Sequence, residues 1–302
     1  PALNDTEVAE NTSILIDFSE IISKKSIKSS TVTVFETGVV PVTGIVKLIG
    51  GDQQLLFTPS ALLNDYTSYT VKVQGVKDSA GNAIAQDYVF NFETGNTVDT
   101  VRPSVSDINP KNNTIDVPVN AALTVAMSER IDPETFTQDS FYVIDTSTNL
   151  RIDGLMDVKD DSQTITFTPN TAFLVGRRHR IYLSSAIKDL FGNTLSNSSY
   201  YFTTAFDADG VAPLIDAMSV QEGQEEVPLN AKFNIRFNEA VNSYSIKNIK
   251  LLKSNNEVLV SRTTSSDLKT LTLVPKINLE ENTQYTLLID AVSDLSGNLL
   301  SE

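Results

Sequence analysis

Acidic side chains recur along this chain at nearly constant spacing, in two settings that could bind a cation. One set ends alternating apolar stretches and consists of Glu20, Glu129 and Glu239. The other set opens Asp-x-x-Gly-Asn segments and consists of Asp78, Asp189 and Asp294. Ca²⁺ takes about 6–8 oxygen ligands, largely from carboxylates and carbonyls. Binding of a hard cation is therefore the first chemistry that these residues suggest.

The overall composition argues against most other chemistry. The 302 residues include no cysteine and one histidine, His179, which excludes thiol catalysis, cysteine-ligated zinc and a multi-histidine metal site. A net charge of −15 argues against nucleic-acid binding, because that binding depends on clustered cations. His179 lies within the basic run Arg177–Arg180, and we expect it on the surface at the start of a strand.

The acidic positions belong to one pattern that occurs three times. Strands closed by proline form another landmark, at Phe57-Thr58-Pro59, Phe167-Thr168-Pro169 and Leu273-Val274-Pro275. All landmarks keep the same order in each copy, and their separations are nearly equal. Because the period of about 110 residues is the size of a domain, the sequence predicts three tandem domains, over residues 1–97, 103–205 and 213–302.

The segments between the copies, residues 97–103 and 207–213, are short, polar and end in proline, which predicts stiff linkers. Alignment on the glutamates places Pro1 opposite Pro110, and alignment on the Asp-x-x-Gly-Asn segments places Glu302 opposite Asn197. We therefore expect the first copy to lack its first strand and the third copy its last strand. Such ends suggest an excerpt of a longer repeat array.

The fold class follows from the second copy. Short stretches rich in Val, Ile, Phe, Tyr and Thr alternate with Asn, Asp, Gly and Pro, which predicts about seven strands in about 100 residues. This is the size and strand count of an immunoglobulin-like β-sandwich, so we predict an all-β protein of three tandem sandwiches.

Local features support this prediction. A helical turn is expected after each glutamate, capped by Ser23, Asp132 and Asn242 and sealed against the core by Ile27, Phe136 and Ile246. The Asp-x-x-Gly-Asn segments are typical of turns in which Asp caps the backbone and Gly takes a positive φ. Tyr69 and Tyr285 open the sixth strand, where a tyrosine corner can fasten a sandwich, and Arg180 is assigned to this position in the second copy.

Several of these motifs carry a family resemblance, namely Phe18-Ser19-Glu20, Phe57-Thr58-Pro59, Tyr69-Thr70-Val71, residues 78–82, Phe92-Glu93-Thr94 and Phe202-Thr203-Thr204. Together they resemble the bacterial Ig-like domains of the S-layer (SbsA) type, over essentially the whole chain. The resemblance implies a secreted protein of the bacterial cell surface, extracellular, in which such modules act as spacers, stalks or lattice-building units.

Topology predicts where the acidic residues meet. In an Ig-like sandwich the end of the second strand, the turn between strands four and five and the loop after strand six lie at the pole where the chain enters. The first junction should therefore gather Asp99, Glu129, Asp160, Asp161 and Asp189. The second should gather Asp207, Asp209, Glu239, Asp267 and Asp294. These sets are candidate interdomain Ca²⁺ sites, with turn capping and surface charge as the alternative.

The expected function is a non-catalytic stalk, spacer or assembly segment of a larger surface protein. No phosphate-binding loop, dinucleotide fingerprint or EF-hand loop is present, and the pair Asp160-Asp161 has no equivalent in the other copies. Partners would be other domains or subunits of the same protein, with no nucleic acid and no membrane insertion. The alternative is an adhesin module that recognises a glycan or a cell-surface protein, for which the basic run Arg177–Arg180 is the distinctive feature.

Overall fold

A computed structural model describes residues 1–37, 39–159 and 162–300. They form three β-sandwiches in sequence, called domains 1, 2 and 3, and each sandwich encloses its own apolar core. The all-β prediction is therefore confirmed. The limits 1–97, 103–205 and 213–302 remain predictions.

Domain 2 has two sheets. Its strands are β8 (Val105–Asn109), β9 (Thr114–Val117), β10 (Leu123–Met127), β11 (Phe141–Asp145), β12 (Leu150–Arg151), β13 (Gly154–Val158), β14 (Thr164–Pro169), β15 (Arg178–Leu183) and β16 (Ser198–Thr204). The sheet orders are β13-β14-β10-β8 and β12-β11-β15-β16-β9. With β9 and β12 as additions, these orders match the two sheets of a constant-type immunoglobulin domain.

Domain 1 repeats this arrangement without a counterpart of β8 among its described residues. Its strands are β1 (Ile14–Asp17), β2 (Val32–Glu36), β3 (Val40–Pro41), β4 (Gly44–Ile49), β5 (Gln54–Pro59), β6 (Ser68–Val73) and β7 (Tyr88–Glu93). The sheet orders are β1-β5-β4 and β3-β2-β6-β7. Within the described part of the chain, strand β1 pairs only with β5, which leaves β1 at the edge of its sheet.

Domain 3 lacks the opposite strand. Its strands are β17 (Ile215–Met218), β18 (Phe233–Phe237), β19 (Lys250–Lys253), β20 (Asn256–Glu257), β21 (Val260–Thr264), β22 (Thr270–Pro275) and β23 (Tyr285–Leu288). The sheet orders are β17-β18-β22-β21 and β20-β19-β23. Up to residue 300 no strand takes the place of β16, which leaves β23 at the edge of its sheet.

The period-two pattern of the strands explains the cores. In β18, for example, Phe233, Ile235 and Phe237 are buried while Asn234 and Arg236 between them are exposed. Alternate side chains of a strand point to opposite faces, so each strand contributes one apolar row to the space between the sheets. The stretch 151–158 of the second copy is not one continuous strand, because it divides between β12 and β13. Strand β9 is a further addition, and Val117 is the buried residue among its four.

The predicted turns are present. Short 3₁₀ helices span Lys24–Ser26, Gly50–Asp52, Pro133–Thr135 and Ser245–Asn248. Asp132 caps its helix as predicted, because its carboxylate accepts a hydrogen bond from Glu134 N at 3.0 Å. The predicted cap at Ser23 is wrong, since its side chain makes no capping hydrogen bond. Asn242 Oδ1 accepts from Tyr244 N at 2.9 Å, but the helix begins after Tyr244, so Asn242 is not its cap residue. The apolar residues that follow, Ile27, Phe136 and Ile246, pack against the three cores as expected. No helix in the described ranges has the length and apolar character that a membrane crossing requires.

The tyrosine-corner position corrects the sequence prediction. Tyr69 pairs with Glu36 across the sheet, and the residue of domain 2 that pairs in the same way, with Asp145, is His179 rather than Arg180. His179 is fully buried, so the expectation of a surface histidine is wrong. The arginines on either side of His179 suggested an exposed position. Successive side chains of a strand alternate between solvent and core, however, so exposed neighbours place the residue between them in the core.

Candidate cation site at the domain junctions

Asparagine side chains fasten the first linker to both of its domains. Asn11 of domain 1 donates from Nδ2 to the backbone oxygens of Asp99 and Phe191, at 3.0 and 3.1 Å. Its Oδ1 accepts a hydrogen bond from Asp99 N at 2.9 Å. From domain 2, Asn193 Nδ2 donates to the same Asp99 oxygen at 3.2 Å. The linker backbone at Asp99 is therefore held from both sides.

The second linker is held in the same way. Asn120 of domain 2 donates to Asp209 O at 2.7 Å and accepts from Asp209 N at 2.9 Å. Asn298 of domain 3 donates to the backbone oxygens of Asp209 and Val211, at 3.3 and 3.2 Å. We call these repeated contacts of Asn11 and Asn193, and of Asn120 and Asn298, the asparagine clamps. Both junctions therefore have one common design.

The Asp-x-x-Gly-Asn turns hold the acidic side of each junction. In the third copy, Asp294 Oδ1 accepts from the backbone N–H groups of Ser296 and Asn298, both at 2.8 Å. Its Oδ2 accepts from Asn298 Nδ2 at 2.7 Å, and Gly297 takes a φ of 88°. Asp78 and Asp189 make the corresponding bonds in their copies. The turn-forming prediction is confirmed, and the turn also fixes a carboxylate at the pole.

Three carboxylates converge at the second junction. Asp209 of the linker, Glu239 and Asp294 each place an oxygen within 4.8 Å of the others. Asp294 is buried and the other two are half-buried. Burial, followed by the hydrogen bond and charge of Asp209 and the charge of Asp294, raises the pKa of Glu239 to about 7. Near neutral pH, binding of either a proton or a cation therefore stabilises this cluster, because it reduces the repulsion between the carboxylates.

The first junction gathers the equivalent acids less tightly. Burial and then the charges of Asp189 and Asp99 raise the pKa of Glu129, so the three carboxylates do act on one another. Within residues 1–37, 39–159 and 162–300, however, only the second-junction trio forms a group of three as compact as 4.8 Å. One reason is Asn193 Nδ2, which donates to Asp99 Oδ1 at 3.3 Å and thereby engages that carboxylate.

The repeated unit matches a known family model. The model of the bacterial Ig-like domain matches this chain three times, over residues 1–94, 99–204 and 209–302. The chain belongs to this family. The three matched domains follow one another in tandem, which confirms the resemblance drawn from the sequence motifs.

Related proteins come from bacterial surface layers. An S-layer protein of Geobacillus stearothermophilus is 25% identical over 323 residues, covering 95% of this chain and 26% of the relative. The chain thus spans about a quarter of the length of that relative. Two structures of the S-layer protein SbsC are similar at TM-scores of 0.30 and 0.28, with 12% and 10% identity. They cover 63% and 95% of this chain, and 45% and 52% of the SbsC chains.

The remaining predicted cation ligands are not part of this group of three carboxylates. Asp207 is exposed, and its backbone oxygen accepts from Val119 N at 3.3 Å. Asp267 caps a turn, because its carboxylate accepts from Ser265 Oγ at 2.5 Å and from Lys269 N at 3.1 Å. Asp160 and Asp161 lie outside the described residues.

The sequence analysis missed the junction residues that are not acidic. Asn11 and Asn120 have the same separation along the chain as Glu20 and Glu129, and this repeat was the available signal. Ion pairs add to the first junction of the Ig-like tandem: Arg130 binds Asp17 at 3.1 Å, and Lys47 binds Glu134. The members of each pair belong to different domains, so no local pattern announces them.

Proposed function

We propose that this chain is a non-catalytic structural segment of a larger bacterial surface protein, acting outside the cell as a stalk, spacer or assembly unit. The observation that carries the proposal is the pair of asparagine clamps, which fix each linker to the domains on both sides. A binding module on a flexible tether has no need of such fixation. The S-layer name of the relative supports the same role.

The clamps restrict the angle between neighbouring domains. Each one makes two hydrogen bonds between a domain side chain and a linker backbone, with a further donor from the following domain. Hydrogen bonds of this kind contribute about 0.5–1.5 kcal/mol each, so their removal should free the hinge without unfolding a domain.

Small-angle scattering tests this role. The 302-residue protein should behave as one elongated particle with a narrow spread of interdomain angles. Replacing both Asn11 and Asn120 by Ala should broaden that spread, while replacing the turn residue Asn255 by Ala serves as the matched control. A compact globule, or a double variant that scatters like the parent protein, would contradict the proposal.

We infer in addition that Ca²⁺ binds at the second junction through Asp209, Glu239 and Asp294. The support is their approach within 4.8 Å together with the raised pKa of Glu239, which reflects burial first and then the neighbouring carboxylates of Asp209 and Asp294. By equivalence, Asp99, Glu129 and Asp189 form a weaker site. Because each core is built from apolar strands, the ion should stiffen the junction rather than drive folding.

Calorimetric titration tests the calcium site. Heat should be released on addition of Ca²⁺ to the intact protein and should be largely lost in Glu239→Gln. Glu222→Gln removes an exposed carboxylate away from the junction and is the control. Scattering with and without chelator tests stiffening, which should increase the maximum dimension of the protein when Ca²⁺ is bound. Circular dichroism under the same two conditions tests folding, and it should change only if the ion drives folding of a domain. Unchanged heat in Glu239→Gln would refute the site.

An adhesin role is the second candidate, and the outer face of β11, β15 and β16 favours it. Arg151 stacks over Tyr142 at 4.3 Å, Arg178 over Tyr201 at 4.6 Å, and Tyr142 lies 4.9 Å from Tyr182. Aromatic rings interleaved with cations on one sheet face suit an acidic glycan, because sugars stack on rings and carboxylates pair with Arg. Replacing Arg177, Arg178 and Arg180 by Ser should abolish retention on an acidic polysaccharide column. Equal retention of the variant would dismiss this role.

A further inference from the structure

Domain 2 presents arginine and tyrosine side chains on the outer face of one sheet. Arg178, Arg180 and Tyr182 are alternate residues of β15, so they share that face. Tyr201 of β16 lies opposite Arg180, and Tyr142 of β11 lies opposite Tyr182. Arg178 stacks over the ring of Tyr201 at 4.6 Å, and Arg180 lies over Tyr182 at 5.8 Å. We call these five residues the arginine face.

The arginines of this face are not neutralised within the part of the chain that the structure describes. Arg178 donates to the amide oxygen of Asn113 at 3.4 Å, and neither Arg178 nor Arg180 has a described carboxylate within 4.0 Å. The Nε of Arg180 is buried and has no hydrogen-bond partner among the described residues. On β12, by contrast, Arg151 pairs with Asp139 at 3.3 Å. In a chain of net charge −15, two such arginines mark a surface that fits an anionic partner.

The corresponding sheet of domain 1 carries the opposite charge at one end. Glu36 ends β2, Glu93 ends β7, and Asp65 lies shortly before β6, which runs in the opposite direction. Asp65 and Glu93 are exposed, and the half-buried Glu36 accepts a hydrogen bond from Asn64 Nδ2 at 3.0 Å. We call these three carboxylates the acidic end. The stretches that contain them hold no lysine or arginine, and they are residues 29–46, 48–71 and 78–101.

Contacts between consecutive domains of one chain use other surfaces. Asp17 and Lys47 of domain 1 make ion pairs with domain 2, and they belong to strands β1 and β4 of the other sheet. Domain 3 approaches domain 2 at β8, where Ser243 donates to Asp107 at 3.0 Å. Strand β8 also belongs to the sheet opposite the arginine face. In the described contacts between consecutive domains, the arginine face and the acidic end therefore take no part.

We propose that the arginine face of one copy binds the acidic end of domain 1 in a second copy. This contact gives the assembly role proposed above a defined interface, and it rests on that proposed function. Arginine pairs with carboxylates in charge-assisted hydrogen bonds, and the tyrosine rings hold the guanidinium groups in place before binding, which lowers the entropy cost. The two surfaces lie on different domains, so the second copy keeps its own arginine face free for a third. The contact can therefore repeat along a row of copies.

The net charge of −15 does not prevent such a contact. Copies repel one another at long range, but at physiological ionic strength charges more than about 8 Å apart are largely screened. Complementary groups in contact are closer than this, so local attraction decides which surfaces meet. Two arginine faces brought together would place like charges side by side. The charges therefore favour the pairing of unlike surfaces over any symmetric pairing of the same surface.

Charge reversal tests the contact on the intact 302-residue protein. One variant combines Arg178→Glu with Arg180→Glu, and the other combines Asp65→Arg with Glu93→Arg. Sedimentation velocity should show self-association of the parent protein, weakened at least about tenfold in either variant. Mixing the two variants should restore a one-to-one complex, because each keeps the surface that the other has lost. The control combines Lys232→Glu with Lys276→Glu at exposed positions of domain 3; it changes the net charge as the first variant does and should associate like the parent protein.

The mixture keeps the test decisive if a substitution disturbs its own domain. The restored complex uses domain 1 of the Arg178→Glu variant and domain 2 of the other variant, and neither of these domains is altered. A parent protein that stays monomeric, or variants that do not combine, would overturn the contact. A monomeric parent protein that is retained on the acidic polysaccharide column would make a glycan the occupant of the arginine face. Rigidity within one chain is measured separately, by scattering of the Asn11 and Asn120 variant, so failure of this contact is distinguishable from failure of the proposed structural role.

Discussion

The imidazole of His179 stacks on the ring of Phe202, with centroids 5.0 Å apart and planes 16° apart. Tyr69 and Phe92 form the same stack in domain 1, at 5.4 Å and 19°. The Tyr69 hydroxyl accepts a hydrogen bond from Asn64 N at 2.7 Å, and Tyr285 accepts one from Glu280 N at 2.9 Å. An imidazole is too short to make this bond, and His179 Nε2 has no hydrogen-bond partner among the described residues.

Replacing His179 by Tyr should therefore stabilise domain 2. The hydroxyl would reach the backbone N–H of Leu174, the counterpart of Asn64 and Glu280, and the unpaired Nε2 would be removed. One hydrogen bond of this type contributes about 1 kcal/mol. Chemical denaturation at pH 7.5 should show a higher midpoint for the domain 2 transition. A lower midpoint would contradict this prediction, because it would mean that His179 stabilises domain 2 more than a tyrosine does.

Domain 2 should lose stability in mild acid because of His179. Burial lowers the pKa of His179, opposed by the negative charge of Asp145 and assisted by the positive charge of Arg177. The unfolded chain, with a histidine pKa of about 6.5, therefore binds the proton more readily than the folded domain. Stability falls as pH drops below about 6.5. Unfolding curves from pH 7.5 to 5.5 measure this loss of stability. The variant His179→Phe keeps a ring but cannot titrate, so its stability should change less between these pH values than that of the parent protein.

Gly154 and Phe167 form a size-matched pair. A Cβ on Gly154 would lie 2.4 Å from Phe167 Cζ, so a larger residue has no room beside that ring. Domain 3 has Val260 and Leu273 at the same places in its sheet. Gly154→Val should therefore destabilise domain 2 by about 1–3 kcal/mol, the cost of overpacking. Adding Phe167→Leu should recover part of that loss, which a double-mutant cycle measures. Strict additivity would show that the two positions are not coupled.

Glu239 should make the second junction sensitive to pH. Its pKa of about 7 in the folded protein lies above the ordinary value of 4.5, so the folded state holds this proton more tightly than the unfolded chain does. In chelator, the stability of domain 3 should accordingly decline as pH rises from about 5 to 8. Unfolding measured across this range should show the decline in the parent protein and not in Glu239→Gln. With Ca²⁺ present, the ion replaces the proton and the decline should be reduced.

The sequence determined the repeat, the fold class and the turns. Landmarks such as Glu129 and Glu239, which recur at the same place in successive copies, identify the tandem organisation without any structure. Strand periodicity and turn chemistry are local, since they depend on side chains a few residues apart. For that reason the Asp-x-x-Gly-Asn turn around Asp189 and the capped turn at Asp132 could be predicted in detail.

The tertiary structure alone decided which side chains meet. Strand register placed His179 in the core and Arg180 on the outer side, a choice that a shift of one residue reverses. The packing of consecutive domains brought Asn11 to Asp99 and set how closely Asp209, Glu239 and Asp294 approach. These contacts join residues that are far apart in the sequence, so their distances depend on the folded path of the chain and not on the identities of neighbouring residues.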